Sequence, residues 1–188
     1  MSYSNLFIKF LLVVGLFGCS LVQNSFDKKL DFCDESIKKS THTLLCALEK
    51  SDVKRVKELI HPTDGITLSA NTFFDKRSDL HFKREDFVTT FSSKKQLYWG
   101  EDETKGDPIK MSLHIYLKTL IGDLKDISKV KTLNEFKNFP QTDGIKGCEV
   151  YWIGEDNPEY NWGALVVLFK RYQDKWYVVG MLSDHWTP

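Results

Sequence analysis

The sequence predicts an α+β fold: N-terminal helices packed on a mostly antiparallel sheet that ends in a C-terminal β-hairpin. Apolar residues recur at helical spacing between 41 and 60, the first ground for this reading. The second is the closing third of the chain, rich in Val, Tyr, Trp and Phe. The third is the polar break Gln173-Asp174, which separates two strand-forming runs, 162–172 and 175–183. Within the first run Ala164, Val166 and Leu168 alternate with Leu165, Val167 and Phe169, so both faces are apolar and both should be covered.

In chain order, Met1 to Gly18 reads as an export signal. Lys9 is the single charge, the apolar run 10–17 follows, and Gly18-Cys19 ends it. The run is shorter than the ~20 apolar residues a bilayer span needs. Leu16-Phe17-Gly18-Cys19 resembles the lipobox of bacterial lipoprotein precursors, with Phe17 where that family usually has a small residue. The resemblance implies a signal peptide over 1–18, cleavage before Cys19, acylation of Cys19, and a lipid bilayer as partner through that anchor. Each buried methylene contributes about 0.8 kcal/mol, and two chains hold stably where one holds marginally. Localisation would then be the cell envelope, and the outer membrane in a Gram-negative source because Ser20 follows the cysteine. Residues 19–39 read as a tether, and 40–188 as a single domain.

Helical spacing then places Leu44, Leu45 and Leu48 on one face, and Asp52 is the expected N-cap of a second helix with Val53, Val56, Leu59 and Ile60. His61-Pro62 ends it. Asp64-Gly65 is a turn, 66–69 a short strand, 80–82 an extended piece and 83–91 a short amphipathic helix. Residues 96–99 should form a strand ended by Gly100, and 101–108 a charged loop. Ser112 is placed to cap a helix carrying Leu113, Tyr116, Leu117, Leu120 and Ile121. Residues 123–138 fit neither period, 147–153 are strand-like and 154–161 are a loop.

Charge excludes one class of partner. The 26 basic and 26 acidic residues balance, so no global field draws the chain to nucleic acid. Beyond Cys19, an exported chain would keep Cys33, Cys46 and Cys148 in an oxidising compartment. One disulfide is expected; three cysteines leave one over and sequence does not choose the pair. Cys33 and Cys46 are close in sequence, and their pairing would leave Cys148 as a buried thiol. No zinc-ligand spacing occurs, no D-x-[DN]-x-[DN]-G calcium pattern accompanies the acidic loop, and neither G-x-S-x-G nor a phosphate loop is present. No metal or cofactor is expected.

The segments ALEKSDVKRVKELIHPTDGITLS, FKREDFVTTF and KWYVVGMLSDHW are similar to the nuclear transport factor two-like fold. That resemblance implies a strongly curved sheet closed on one side by N-terminal helices into a cone with an apolar pocket, the helix near 113–121 being an insertion. LIHPTDGITLS, YWGEDETKGDPIKMSLHIY and KWYVVGMLSDHWT resemble uncharacterised exported bacterial proteins, a resemblance that implies no activity.

Candidate pocket residues are Tyr98, Trp99, His114, Asp184 and His185. Asp184-His185-Trp186 should follow the last strand, where Asp can orient an imidazole and His can handle protons. Neighbours on a strand point to opposite faces, which argues against a dyad, so no catalytic residue is assigned. His61 is expected as a cation at a helix C-terminus, with Asp64 in the turn. The aromatic stripe Tyr151, Trp152, Tyr160 and Trp162 suits a sugar-binding face or core packing equally. The expected function is a membrane-anchored, non-catalytic binding or interaction domain of unknown protein or small-molecule ligand. The alternative is an enzyme with an apolar pocket and a His or Asp at its mouth.

Overall fold

The structure is a computed structural model, which describes residues 35–75, 77–102, 105–122, 127–133, 144–153 and 162–186. Side chains of 122, 127–133, 151–153, 162 and 184–186 are not among the described ones. The signal, Cys19, most of the tether and Cys33 lie outside the described residues, as does the whole 154–161 loop with Tyr160.

Helix α1 (Glu35–Glu49) starts earlier than Thr41, so residues 35–39 belong to the helix and not to a tether. Its buried stripe begins with Ile37 and passes through Thr41 to Leu44, Leu45 and Leu48. Thr41 hides this stripe in the sequence because it is polar. Its hydroxyl donates to the Ile37 carbonyl at 2.9 Å and so sits satisfied in the apolar face. Asp52 caps α2 (Val53–Leu59), accepting from the Arg55 amide at 3.0 Å as the spacing predicted.

Strand β1 (Ile66–Ser69) and strand β2 (Leu80–Phe82) pair antiparallel, followed by helix α3 (Arg84–Ser92). Strand β3 (Leu97–Glu101) runs through Gly100 rather than ending before it. Gly100, at φ +108°, occupies a register shift between Tyr98 and Glu101, and glycine tolerates that geometry. Its partner β4 (Pro108–Met111) is a strand where the sequence suggested the end of a charged loop. Helix α4 (Leu113–Gly122) follows the Ser112 cap.

Residues 127–133, unreadable by periodicity, form strand β5 (Ile127–Leu133). Strand β6 (Ile145–Ile153) pairs with β5 and with β7 (Trp162–Tyr172), and β7 with β8 (Lys175–Trp186). The six-stranded order is β2-β1-β8-β7-β6-β5, while β3 and β4 form a separate ribbon. Every pairing within the named strands is antiparallel except β1 with β8. The fold class is therefore α+β, as the sequence predicted.

The hairpin turns at Gln173-Asp174, with Gln173 in the left-handed region at φ +54°. A bulge between Leu168 and Phe169, opposite Gly180 and Val178, bends the hairpin and leaves Val179 as the extra residue. Leu165, Val167, Phe169, Val178 and Met181 join the core shared with α1, α2, α3 and α4. Leu168 is buried outside that core cluster, and Phe74 approaches the same spot: a Cβ on Gly180 would meet Phe74 at 3.0 Å and Leu168 at 3.1 Å. Both faces are covered, as the doubly apolar pattern demanded.

Cys148 is buried, as expected, but it is not a thiol: Cys46 and Cys148 are both disulfide-bonded. Cys46 is in a bridge, and the expected pairing with Cys33 lies outside the described residues.

Candidate functional site

One end of β1 gathers polar groups against the inner face of the sheet. Tyr116 reaches it from α4, and its hydroxyl donates to the Ser69 carbonyl at 3.1 Å. That bond uses its only proton, so the buried Ser183 hydroxyl from β8 donates to the Tyr116 oxygen. Burial pushes the Tyr116 phenol up to about 12; Ser183 pulls the other way and the charge of Asp79 adds to the rise. Trp99 of β3 stacks flat on the Tyr116 ring at 3.6 Å between centroids and 10° between planes. Its indole N–H donates to the Met111 carbonyl at 3.0 Å, so the ribbon holds Trp99 and Trp99 holds Tyr116.

Beside Ser69, the loop 70–79 folds back and brings in Asp79. The Ser69 hydroxyl donates to the Phe73 carbonyl at 2.9 Å and accepts from the Asn71 amide at 3.2 Å, which starts the loop. Asp75 accepts two hydrogen bonds from the Arg77 guanidinium to one oxygen pair at 3.1 and 2.8 Å, and its carbonyl accepts from the Asp79 amide at 2.8 Å. Asp79 Oδ1 is buried without a hydrogen-bond partner. Burial raises the Asp79 carboxyl above its ordinary value; the Ser69 hydroxyl and the Asp75 backbone lower it, and the Asp75 charge raises it again. An unpaired buried carboxylate oxygen is costly, whereas a protonated carboxyl or one met by a ligand's donor is not.

Of the pocket residues singled out from the sequence, the three with described side chains, Tyr98, Trp99 and His114, do not converge. Trp99 belongs to the site just described. Tyr98, its neighbour on β3, is exposed and donates to Glu101 Oε1 at 3.4 Å. His114 lies against the Phe91 ring at 5.0 Å with Nε2 3.4 Å from the Ser51 hydroxyl, toward the α1–α2 junction. Asp184 and His185 do not follow the last strand. They lie within β8, paired with Ala164 and Gly163. Sequence reasoning passed over Asp79 and Tyr116, the first resembling any loop acid and the second one more apolar position of α4.

A second cluster surrounds His61, at the opposite end of β1. It is not a capping cation. The ring is buried at 2% exposure, and burial lowers its pKa from the ordinary value. Nδ1 accepts from the Asp64 amide at 3.0 Å.

Among the described residues no group of three or more His, Cys, Asp or Glu is placed to hold a metal ion, and no helix is long and apolar enough to cross a membrane. No family model matches the chain, and no curated protein matches it. Among solved structures it is similar to an uncharacterised protein with a cystatin-like fold from Caulobacter vibrioides, at 13% identity over 82% of this chain and 89% of that one, TM-score 0.42. A cystatin-like fold protein from Burkholderia xenovorans shares 9% identity over 81% and 91%, TM-score 0.40. An NTF2-like protein from Cytophaga hutchinsonii shares 11% over 81% and 99%, TM-score 0.40. One of these fold names is the one the sequence resemblance implied. At such identities and TM-scores nothing about activity or ligand rests on them.

Proposed function

We propose that the chain is a lipid-anchored, non-catalytic binding domain that receives a small neutral polar ligand at Asp79 and Tyr116. The observation that carries the ligand site is Asp79 Oδ1, buried with no partner in a carboxyl whose charged form burial disfavours. A ligand hydroxyl or amide meeting that oxygen removes the cost of leaving it unpaired, and a ligand carboxylate is repelled. Trp99, stacked on Tyr116, makes the site rigid enough to be selective. The anchor rests on the apolar run ending at Gly18-Cys19. With it go a bilayer partner and a cell-envelope location, the outer membrane in a Gram-negative source.

The alternative reading is an enzyme that uses Asp79 to hand over a proton. A carboxyl whose charged form burial disfavours is what such a step needs. One substitution separates the readings. Asp79→Asn keeps a hydrogen-bonding side chain but cannot move a proton.

The experiment screens neutral polyols, amides and their carboxylate analogues by thermal shift, since any ligand of the folded state raises the midpoint. Neutral compounds should stabilise the wild type and Asp79→Asn but not Asp79→Ala; preferential stabilisation by carboxylates would overturn the site. Separately, a labelled fatty acid fed to producing cells should mark the wild type and not Cys19→Ala. Label persisting in that variant would end the anchor proposal.

A further inference from the structure

The His61 cluster joins three parts of the chain that are far apart in sequence. His61 itself lies between α2 and β1, its backbone amide donating to the Val178 carbonyl of β8 at 2.9 Å and its carbonyl accepting from Gly65 at 3.1 Å. Its ring meets Tyr172 of β7 and Tyr177 of β8 edge to face, with centroids 5.5 and 6.1 Å away. From α3, Arg84 lies 5.4 Å over the Tyr177 ring and donates through Nε to the Ile60 carbonyl at 2.9 Å. Lys170 of β7 pairs with Asp64 Oδ2 at 2.6 Å. Glu85 of α3 is engaged elsewhere, 3.5 Å from Lys57. The ring is therefore faced by Asp64, Lys170, Arg84 and two tyrosines, and it clasps the turn end of the hairpin to the α2–β1 connection.

The hydrogen bonds determine the tautomer. Nδ1 accepts from the Asp64 amide at 3.0 Å, so the proton sits on Nε2, which is buried and has no partner. A second proton on Nδ1 would set two donors against each other and cancel the Asp64 amide bond. It would also place a third cation beside Lys170 and Arg84. Relief is close by: Asp64 Oδ1 is 3.7 Å from Nδ1, and the Thr63 hydroxyl, 3.3 Å from Nδ1, already donates to that oxygen at 3.0 Å.

We infer that His61 is a pH-responsive latch on the hairpin end: neutral, it pins Tyr172 and Tyr177 to the α2–β1 connection; protonated, it takes the Asp64 carboxylate from Lys170 and frees the turn. Burial lowers the His61 pKa most; Asp64 raises it and Lys170 and Arg84 lower it further. The sign follows from that depression. The folded state favours neutral His61, so the latch is complete above the ordinary value of 6.5 and is lost as pH falls through the lower folded value.

The test follows the His61 ring by NMR while amide exchange is measured on the intact protein across pH 7.5 to about 4.5, corrected for intrinsic rates. The His61 and Asp64 amides should lose protection several-fold as the ring titrates, while those of Val167 and Cys148 in mid-sheet stay protected. Asp64→Asn should move the titration to lower pH, and Lys170→Met should move it to higher pH. A merely packed histidine predicts no coupling to exchange. His61→Asn, whose side-chain oxygen can replace Nδ1 as acceptor, should remove the transition altogether. If that variant does not fold, the opposed shifts of the other two decide. Titration of the ring without any change in exchange, or shifts of the two charge variants in the same direction, overturns the latch.

Discussion

At the scale of single residues, Asp79 combines the clearest cost with the clearest opportunity. Its folded pKa is raised above 3.8, so the stability attached to its protonated form is complete at low pH and is lost as pH rises through the folded value. Asp79→Asn should therefore be more stable than the wild type at pH 7.5, and the gain should vanish near pH 3.5. Urea midpoints at the two pH values check this. An equal midpoint at both would mean that Asp79 is not desolvated. Trp99 makes the contrasting case. It is buried, stacked and hydrogen-bonded through its indole, so Trp99→Ala should cost about 3–5 kcal/mol in chemical denaturation. Its loss should also free the Tyr116 ring, so ligand stabilisation should disappear even at temperatures where the variant remains folded.

At the scale of elements, the hairpin and the β1 turn bear the most strain when altered. Leu168 is fully buried between the β-bulge and Phe74, so Leu168→Ala should cost about 2–5 kcal/mol. Arg171 and Asp174, both exposed at the turn, form an ion pair at 3.5 Å, and Arg171→Ala should change stability by no more than about 0.5 kcal/mol. Thermal melts of the two variants side by side measure the contrast. Gly65 is a sharper test of the turn that carries His61. Its φ is +70°, and a Cβ there would lie 2.2 Å from the Phe82 carbonyl oxygen. Because backbone rather than a flexible side chain is in the way, Gly65→Ala should cost more than the roughly 1–2 kcal/mol of the left-handed conformation alone. A melt unchanged by this substitution would mean that β1 and β2 separate easily.

For the whole molecule, disulfides reach both the helical layer and the sheet. Cys46 stands on α1 and Cys148 on β6, and both are in disulfides. Loss of native bridges typically costs about 2–5 kcal/mol in a small domain. Reductant should thus lower the melting midpoint markedly, and a melt indifferent to reductant would show that the bridges lie outside the cooperative unit. Mass mapping of a non-reduced digest identifies the partners, including whether Cys33 holds Cys46.

The sequence by itself determined the α+β class, the hairpin and its turn, the Asp52 and Ser112 caps, and the burial of both hairpin faces. These follow from local periodicity and from residue types whose backbone preferences act over a few positions. It could not show that Thr41 belongs to a buried stripe, because a hydroxyl that bonds back to its own helix counts as apolar only once it is folded. Nor could it show that 127–133 form a strand, since that segment acquires its pairing from β6. Tertiary structure alone decided the candidate site. Ser69 with Asp79, Tyr116 and Ser183 come from three separate stretches, and what distinguishes them is desolvation and an unpaired oxygen. His61 is the same case in reverse: its position after a helix suggested a cation, and the hairpin that packs over it keeps it neutral. Charge state depends on what surrounds a group in space, which neighbours in sequence do not specify.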